Sequence, residues 1–454
     1  MKKSLTHILS VALVSAFILA ACAPAATPAP TDTPAAVQPT TAPAATTAAT
    51  TAPAATTAPT TAAATEAPTT AAATTAPTTA ATTAPAATAG APVTINLWHS
   101  YHAGGTEEQA VNQLVNQYMK DNPNVTVNVQ EIPFNQGINK WQTDIASGGT
   151  AADMFTAPND SLGDWVRANI VAPLDSQLTG KLTGVSQAGV DGMTVNGHIY
   201  GVPGIIKAVA LVYNKTTIPT PPATTDDLMN LVKSGKTIVI NQSNYYVYGW
   251  FPAFGGSLTD SSGKCVADQG GYADAMQYMV DLKKAGADFE TDGGKVDSLF
   301  ETGKADMIIE GPWVLGDIEK ALGADKVGVV PLPAGPKGPA MPLSGIDGWY
   351  INPNSQNQTA AIALAQYIFS AQGLGVYADV AGDPPARTDV TPKDPLVKAY
   401  ADAAGAGTPR PQTKEFSNWW GPFGDMVTAV VQGKSQPADG VKTACAAMNK
   451  ANGK

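Results

Sequence analysis

The sequence has few of the residues on which most metal sites and catalytic sites depend. It contains 3 cysteines and 4 histidines among 454 residues, and no run of basic residues follows Lys3. The net charge is −10, and only 14% of the residues are charged. Such a chain is not suited to binding nucleic acid. After residue 90, no stretch is apolar over the roughly 20 residues that a membrane-spanning helix needs.

Signatures of common catalytic sites are also absent. The sequence has no Gly-x-Ser-x-Gly elbow, no phosphate-binding Gly-rich loop and no Gly-x-Gly-x-x-Gly after a strand. His99 and His102 lie three residues apart, but a metal ion would need further ligands. Paired carboxylates of a glycosidase remain an alternative; the acidic residues near expected strand ends are Asp153, Asp160, Glu310 and Asp347. The sequence therefore favours binding over catalysis, with no metal ion and no cofactor.

The N-terminal residues indicate where the protein works. Lys2 and Lys3 precede an apolar stretch, residues 8–21, and Cys22 follows Leu-Ala-Ala. A basic start, a short apolar core and small residues before a cleavage point form a secretory signal, here residues 1–21. Leu-Ala-Ala-Cys resembles the lipobox of bacterial lipoproteins, which implies lipidation of Cys22. An ordinary signal peptide with a chance cysteine is the alternative.

Residues 22–90 combine Cys22 with a tract of almost only Ala, Thr and Pro. Asp32 and Glu66 are its only charged residues, and it has no aromatic residue. Its apolar surface is too small to offset the entropy of ordering, and its prolines favour extended segments. We therefore expect a disordered stalk that holds a globular body off the outer face of the bacterial cytoplasmic membrane. The many threonines are also typical of O-glycosylated stalks.

From residue 91 onward, short expected strands alternate with helices. Residues 93–98 and 125–129 alternate as strands, and Thr106 and Gln109 form a capping-box pattern at the start of the helix between them. A strand–helix–strand order predicts an α/β fold with mostly parallel sheets. Residues 91–454 are too many for one simple core and suit two domains.

The two cysteines of this body form an even pair. Cys265 and Cys445 remain after Cys22 is assigned to a lipid, and an extracytoplasmic compartment permits a disulfide between them. Two unpaired buried thiols are the alternative, because the sequence does not show whether their Cα atoms approach within about 7 Å.

Aromatic residues gather in expected loops and not on apolar helix stripes. Trp313 follows Gly-Pro at a strand end, Trp419 and Trp420 precede a helix, and Tyr245 lies in a tyrosine-rich turn. Loops at the carboxyl ends of α/β sheets surround the crevice where ligands bind. Flat aromatic faces suit the C–H faces of sugar rings, while neighbouring polar groups bind hydroxyls. Aromatic packing beneath these loops is the alternative.

Several short motifs follow one another in a set order between about residues 93 and 449. They are Ile-Asn-Leu-Trp at 95–98, Ala-Asp-Met-Phe at 152–155, Asn-Gly-His-Ile-Tyr-Gly-Val-Pro at 196–203, Leu-Val-Tyr-Asn-Lys at 211–215 and Gly-Pro-Trp at 311–313. In this order they resemble the bacterial extracellular solute-binding proteins of ABC importers, in the carbohydrate-binding family that includes maltose-binding protein.

The resemblance implies a periplasmic-binding-protein (flytrap) fold, in which two α/β lobes close on a ligand. Each lobe is discontinuous: residues 91–204 and 346–387 form the first, and residues 205–345 and 388–454 form the second. The implied protein is not an enzyme. It is a monomeric receptor that captures an oligosaccharide or disaccharide and delivers it to an ABC importer permease.

The resemblance also implies ligand-binding residues, position by position. Asp160, Tyr245, Trp313 and Trp420 match sugar-binding positions of the family, and Trp419 is the register alternative to Trp420. The tryptophans would stack on sugar rings, Asp160 would accept hydrogen bonds from hydroxyls, and Tyr245 would do either. Asp347, in a Gly-rich loop, is a further candidate.

Other positions depart from the family pattern. An Asp-Lys pair of the first loop is His102-Ala103 here, and two ligand-binding glutamates are Lys207 and Ser243. A stacking tryptophan is Ala157, and the arginine after the matched aspartate is Ser161. The sugar therefore need not be maltose. Lys207 leaves binding of a polyol phosphate or another anionic solute as an alternative, and a surface glycoside hydrolase is a further one.

Overall fold

The structure, a computed structural model, describes residues 91–149 and 152–454. The expected signal peptide 1–21, the lipidated Cys22 and the stalk to residue 90 lie outside the described residues and stay predictions. All statements below concern the described part of the chain.

Helices and strands alternate along this part of the chain. The strands are β1 (Val93–His99), β2 (Val125–Glu131), β3 (Met154–Pro158), β4 (Thr194–Val195), β5 (His198–Ile199), β6 (Val202–Lys207), β7 (Ala210–Asn214), β8 (Ile238–Asn241), β9 (Asp288–Glu290), β10 (Met307–Glu310), β11 (Val327–Val330), β12 (Leu343–Ile351) and β13 (Thr408–Pro409). The α-helices are α1 (Thr106–Asp121), α2 (Phe134–Ala146), α3 (Leu162–Arg167), α4 (Asp175–Leu178), α5 (Gln187–Gly192), α6 (Thr225–Lys233), α7 (Asn244–Val247), α8 (Trp250–Ala253), α9 (Tyr272–Ala285), α10 (Gly293–Glu301), α11 (Leu315–Leu322), α12 (Gln358–Ile368), α13 (Ala371–Val380), α14 (Pro395–Gly405), α15 (Lys414–Ser417), α16 (Trp420–Val431) and α17 (Pro437–Asn452).

The first lobe is built on a six-stranded sheet. Its strands follow the order β13-β12-β3-β1-β2, and β6 pairs along β12. β1 runs parallel to β2 and β3, with Val93 opposite Val125 and Leu97 opposite Met154. Helices α1, α12 and α13 pack together and against this sheet, so that their apolar faces share one core with β1.

The second lobe is built on a five-stranded sheet in the order β11-β7-β10-β8-β9. β8 is parallel to β9 and β10, whereas β7 is antiparallel to β10 and β11. Helices α9, α16 and α17 pack on one another and bury apolar side chains such as Met276, Phe423 and Val427. The helix that the spacing of apolar residues predicts at 272–285 matches α9.

The α/β class is confirmed, but the expectation of mostly parallel sheets holds only in part, because both sheets are mixed. β12 is antiparallel to β3 and β6, and β7 is antiparallel to both of its neighbours. Each of these strands enters its lobe from the other lobe. The parallel strands end at the edge where the lobes meet, so a strand that begins at this edge must run in the opposite direction.

The buried apolar residues of the two lobes form separate clusters. Those of the first lobe lie within residues 95–205 and 346–386. Those of the second lobe lie within residues 209–343 and 396–448, apart from Ala378, which packs with them from α13. The chain thus passes between the lobes after β6, before β12 and again before α14. The residue-by-residue lobe boundaries stay a prediction.

The capping box expected at the start of α1 is not formed. Gly105 is the N-cap, and Thr106 is already helical. The Thr106 hydroxyl is buried without a hydrogen-bond partner in the described structure, while its backbone N–H points to Asp317 of the second lobe, with 3.4 Å between the nitrogen and Oδ2. The helix therefore begins one residue early, and its first turn faces the other lobe.

A disulfide joins Cys265 to Cys445, with 5.5 Å between their Cα atoms. Both cysteines are buried in the second lobe. The bond ties the loop before α9 to the C-terminal helix α17, so it closes the C-terminal segment onto the core of this lobe.

In the ranges 91–149 and 152–454, no single helix is long and apolar enough to cross a membrane. The pair α12 and α13, bent by 56°, passes that test by length and composition only. Their apolar residues form part of the first lobe's buried core, which accounts for their composition.

Candidate functional site

The predicted site residues follow the carboxyl ends of strands at the edge where the lobes meet. Asp160 lies in a 3₁₀ turn after β3, and Trp313 lies in another after β10. Tyr245 lies in α7, which follows β8, and Lys207 ends β6. Carboxyl ends of parallel strands are where open α/β sheets bind their ligands. The topology therefore brings residues that are up to about 150 positions apart to one cleft.

Three half-buried aromatic rings form what we call the aromatic surface: Tyr245, Trp313 and Trp420. The ring centroid of Tyr245 lies 6.3 Å from that of Trp313 and 6.5 Å from that of Trp420. All three rings belong to the second lobe. Half-buried rings side by side leave apolar area open to a ligand at the cleft.

Trp419 does not belong to this surface. It is 0% exposed, its ring stacks between Phe416 and Phe423, and its edge meets Tyr248. Because α16 begins at the next residue, Trp419 and Trp420 point in different directions, one into the core and the other to the cleft. The interpretation of Trp419 as a ligand-binding alternative is therefore wrong.

Arg410 connects Asp160 to the aromatic surface. Its carboxylate forms an ion pair with Arg410, whose side chain is 2% exposed. The Arg410 guanidinium lies over the Tyr245 ring, 5.2 Å from its centroid, and hydrogen-bonds with the Tyr245 side chain. Burial disfavours the arginine charge, but Asp160, Tyr245 and Asp347 together outweigh this cost and raise the pKa of Arg410. The structure thus joins Asp160 of the first lobe to Tyr245 of the second.

Lys207 lies in a buried group of charged residues, here called the Lys207 cluster: Lys207, Glu107, Asp347 and Asp383. The Lys207 ammonium donates to Glu107 over 2.6 Å and to Asp383 over 2.7 Å, and Asp347 Oδ2 lies 3.8 Å away. The four side chains are 8% exposed or less. The ammonium also lies 5.7 Å from the Trp313 ring centroid, so the cluster borders the aromatic surface.

The Lys207 cluster has one cation for three carboxyl groups. Burial disfavours the ammonium, but Asp383, Glu107 and Asp347 together raise the pKa of Lys207, which stays protonated. Burial raises the pKa of Asp347 to about 6, against the attraction of Lys207. Asp347 Oδ1 and Asp383 Oδ2 are buried with no hydrogen-bond partner in the described residues. One cation among three carboxyl groups leaves no spare positive charge for an anion.

Glu310 holds Trp313 in place. It is 1% exposed, and its carboxyl group accepts hydrogen bonds from the Gly311 backbone and from the Trp313 and Tyr246 side chains. Burial, together with Asp297, raises the pKa of Glu310 well above its usual value. With three donors around it, the Glu310 carboxyl group supports the Trp313 ring.

The other acidic candidate for glycosidase chemistry has a structural role. Asp153 accepts hydrogen bonds from the Asn96 backbone over 2.7 Å and from the Ser355 hydroxyl over 2.5 Å. It is 4% exposed and ties β1 to the loop after β12. Asp160 and Asp347 already serve Arg410 and Lys207, so the four candidates form no pair of free carboxyl groups across the cleft.

The structure does not bring His102 to the aromatic surface. His102 is exposed in the loop between β1 and α1 and interacts electrostatically with Glu301 of α10. His99 is buried, stacks on Tyr101, and has its pKa lowered to about 4 by burial. No group of three or more His, Cys, Asp or Glu within the described ranges could hold a metal ion.

The lobes contact each other on both sides of the cleft. Gln412 of the second lobe accepts from the Gly163 backbone over 3.0 Å and donates to the Asn159 carbonyl over 2.9 Å. On the other side, the Gly316 N–H donates to the Ala381 carbonyl over 3.1 Å. The first contact is close in sequence to Asp160 and Arg410, and the second is close in sequence to Trp313 and Asp383, so the lobes touch beside both groups.

Four residues of this region were missed by the sequence reasoning: Glu107, Asp383, Arg410 and Gln412. Arg410 and Gln412 stand in the stretch Thr-Pro-Arg-Pro-Gln, where a lone basic residue between prolines is the one local signal available. Glu107 looked like part of a helix start. Nothing in the sequence near Asp383 marks it, since only the fold brings it to Lys207.

Two α/β lobes with aromatic and buried charged side chains between them define a two-lobed ligand-binding protein. Neither lobe alone carries the set, because Asp160 comes from the first and the aromatic surface from the second, with Lys207 at the end of β6, where the chain passes between them. The chain belongs to the bacterial extracellular solute-binding protein family, whose match covers residues 103–374.

The chain is also similar to sugar-binding proteins in sequence and in structure. The chain is 24% identical over 324 residues to the maltooligosaccharide ABC transporter solute-binding lipoprotein of Streptococcus pneumoniae, covering 66% of this chain and 75% of that protein. It is 24% identical to the maltotriose-binding protein of Pyrococcus abyssi, covering 72% and 74%. Its structure resembles the Thermus thermophilus maltotriose binding protein bound with maltotriose, with a TM-score of 0.72 and 26% identity over 79% of this chain and 100% of that one.

Proposed function

We propose that this protein is the carbohydrate receptor of an ABC importer and captures a maltooligosaccharide between its lobes. The observation that carries the proposal is the aromatic surface of Tyr245, Trp313 and Trp420 beside the polar groups of Asp160, Asp347 and Arg410, of which the last two are buried. The names of the relatives from Streptococcus, Pyrococcus and Thermus support this choice of sugar.

The chemistry of the cleft suits a neutral sugar chain. Pyranose rings present C–H faces that pack on aromatic rings, and their hydroxyls need donors and acceptors once removed from water. Trp313 and Trp420 supply flat faces, and Asp347 Oδ1 is a buried acceptor without a partner in the described part of the protein. A buried acceptor without a partner is costly, and a sugar hydroxyl at this point would satisfy it.

Binding and closure are coupled in this scheme. The polar residue Asp160 belongs to the first lobe and the aromatic surface to the second, so a ligand contacts both only when the lobes are closed. A ligand shifts an equilibrium only through its different affinity for the two states. Capture at micromolar concentration requires about −8 kcal/mol, which two stacked rings and several hydroxyl hydrogen bonds supply after entropy costs.

The contacts of Lys207 disfavour the anionic alternative. Its ammonium already donates to Glu107 and Asp383, and three carboxyl groups surround it. A phosphate placed here would meet these carboxylates without a free cation. We therefore do not retain a polyol phosphate as the preferred ligand.

We also infer that the protein turns over no substrate. The acidic candidates are each engaged by protein donors or cations, which leaves no acid–base pair across a bound sugar. A glycosidase would need two free carboxyl groups at a set separation. The family, bacterial extracellular solute-binding proteins, is a family of binding proteins.

The proposed location follows from the N-terminal sequence. Cleavage after residue 21 and lipidation of Cys22 anchor a monomeric receptor on the outer face of the cytoplasmic membrane, and residues 23–90 act as its tether. There the closed form meets the permease of the importer. The word lipoprotein in the name of the Streptococcus pneumoniae relative supports the anchor.

Intrinsic tryptophan fluorescence of the full chain tests the proposal, because Trp313 and Trp420 line the cleft. We expect a saturable change with maltose and maltotriose, no change with glycerol phosphate, and no product after overnight incubation. Xylose- and galactose-type oligosaccharides serve as the sugar controls. A response to glycerol phosphate alone, or hydrolysis of maltotriose, would contradict the proposal.

A further inference from the structure

We infer that Arg410 is a ligand-binding and specificity-determining residue of the cleft, which donates to a hydroxyl of the bound sugar through its free Nε–H. This inference deepens the proposed function and depends on it. It assigns the recognition of one hydroxyl to a residue that was not among the predicted ligand-binding residues.

The backbone holds Arg410 in a fixed position. It lies between Pro409 and Pro411, and proline restricts the backbone at both neighbours. Its N–H donates to the Ser344 carbonyl of β12 over 3.0 Å. β12 is the strand by which the chain enters the first lobe, so Arg410 is anchored where the lobes join.

Gly345 makes room for the guanidinium. A Cβ atom built on Gly345 would lie 2.5 Å from Arg410 Nη1 and 2.6 Å from its Cζ. Real Cβ contacts are not that short, so any other residue at 345 would push the guanidinium aside. The absence of a side chain at this one position thus leaves the space that the Arg410 guanidinium occupies beside Asp160.

The partners of Arg410 are the predicted ligand-binding residues themselves. It pairs with Asp160 of the first lobe and lies over Tyr245 of the second. Arg410 is 6% exposed, and its Nε is buried with no hydrogen-bond partner within the described structure. A buried N–H of a charged group without an acceptor is costly, and a ligand oxygen at the cleft removes that cost.

A guanidinium is the appropriate donor here because its geometry is planar and rigid. With Nη1 directed to Asp160, the direction of Nε–H is set, whereas a lysine ammonium would offer only a point charge. The group therefore distinguishes sugars that carry a hydroxyl at this point from those that do not. Sites built to bind a hydroxyl reject analogues that lack it.

The test compares Arg410→Lys with Gly345→Ala in the full chain, by calorimetric titration with maltotriose. Both variants are expected to bind at least tenfold more weakly, the first by removing Nε–H and the second by displacing it. Arg387→Lys is the matched control, since Arg387 also makes a two-point ion pair, to Asp389, away from the cleft. It is expected to bind within twofold of the parent protein.

A set of singly deoxygenated maltotrioses separates recognition from a merely structural role. For the parent protein, one analogue should bind at least tenfold more weakly than maltotriose does. For Arg410→Lys, the same analogue and maltotriose should bind with affinities within twofold of each other. If every analogue loses affinity equally in both proteins, or if Arg410→Lys retains the parent affinity, the inference is wrong. If the parent itself binds no maltooligosaccharide, the proposed function fails instead.

Discussion

At the scale of single residues, side chains next to each other in the sequence have unrelated roles. Trp419 and Trp420 show this most clearly, because one fills the core and the other lines the cleft. Gly345 and Asp347, two positions apart on β12, also differ, because Gly345 leaves space for Arg410 and Asp347 lies near Lys207. Which direction a residue faces depends on where its helix or strand begins.

Truncating either cleft tryptophan should weaken sugar binding. Trp313→Ala and Trp420→Ala each remove a stacking face, and each is expected to cost at least about 1 kcal/mol of binding free energy, roughly fivefold in affinity. Calorimetric titration with maltotriose measures this change.

Trp419→Phe is the control for the two cleft variants. It is expected to lower the free energy of unfolding by ~1–3 kcal/mol, since it leaves a cavity in the core, and to leave affinity within twofold. Parent-like binding by both cleft variants would show that the stacking assignment is wrong.

Removing the charge of Lys207 should destabilise the fold in a pH-dependent way. Lys207→Met leaves three buried carboxyl groups without their cation, which is expected to cost ~3–5 kcal/mol of unfolding free energy at pH 8. The loss should be smaller at pH 5, because the carboxyl groups can then hold protons. Urea unfolding at the two pH values measures the difference.

Lys295→Met is the control, since Lys295 forms an exposed ion pair with Glu290. It should change stability little at either pH. An equal loss for Lys207→Met at pH 5 and pH 8 would contradict the account of the Lys207 cluster.

At the scale of helices and strands, the structure contains one capping box that forms and one predicted box that does not. Thr224 accepts from the Asp227 N–H, and the Asp227 carboxylate accepts from the Thr224 N–H, at the start of α6. At α1 the same sequence pattern fails, because the helix begins at Thr106 and its first turn contacts the second lobe. Contacts between the lobes outweigh a local preference of about 1 kcal/mol.

Alanine substitutions at these two threonines should therefore differ. Thr224→Ala is expected to lower the free energy of unfolding by about 1 kcal/mol, the usual cost of a lost N-cap. Thr106→Ala removes a buried hydroxyl that has no partner in the described structure, so no cap is lost. Chemical denaturation of both variants measures the difference, and a larger loss at Thr106 would contradict the observed start of α1.

At the scale of the whole molecule, buried carboxyl groups near the cleft make stability depend on pH. Burial raises the pKa of Asp297 to about 7 and that of Asp347 to about 6. An aspartate in the unfolded chain has a pKa of about 4. At a pH between about 4 and these raised pKa values, the folded protein therefore holds protons that the unfolded chain has released. Stability therefore falls as pH rises through this window. His99 has the opposite effect, because burial lowers its pKa to about 4. Below about pH 6.5 the unfolded chain gains a proton on this histidine before the folded protein does, so this term lowers stability as pH falls.

The free energy of unfolding should accordingly be larger near pH 5.5 than at pH 8. Asp297→Asn imitates the protonated side chain, so it should raise stability at pH 8 by at least about 1 kcal/mol and change it little at pH 5. Asp402→Asn, at an exposed ion pair with Lys398, is the control. Guanidinium unfolding across this pH range measures both, and an unchanged pH profile for Asp297→Asn would show that Asp297 is not the group responsible.

Much of the fold was accessible from sequence because it depends on local periodicity. The spacing of apolar residues predicts β1, α9 and the body of α1, and each lies within a residue or two of its expected bounds. The direction of strands was not accessible in this way. Whether β7 and β12 run parallel to their neighbouring strands depends on the lobe from which the chain enters each strand. The path of the whole chain sets this, and the local sequence does not.

The candidate site divides along the same line. Asp160, Tyr245, Trp313 and Trp420 could be named from motif order, and the structure brings them together. Ser161 removes an arginine that the resemblance would place beside Asp160, and the fold supplies Arg410 from 250 positions further along the chain. No local signal could have connected the two, because ion pairs between lobes form only after both lobes fold.

The sequence alone determined the α/β class, the family and the aromatic residues of the cleft, because periodicity and ordered motifs are written locally along the chain. Only the tertiary structure decided that Trp420 and not Trp419 faces the cleft, that Lys207 is neutralised by Glu107 and Asp383, and that Arg410 joins the two lobes. Those outcomes depend on distances between residues far apart in sequence, which closure of the chain sets and no local pattern contains.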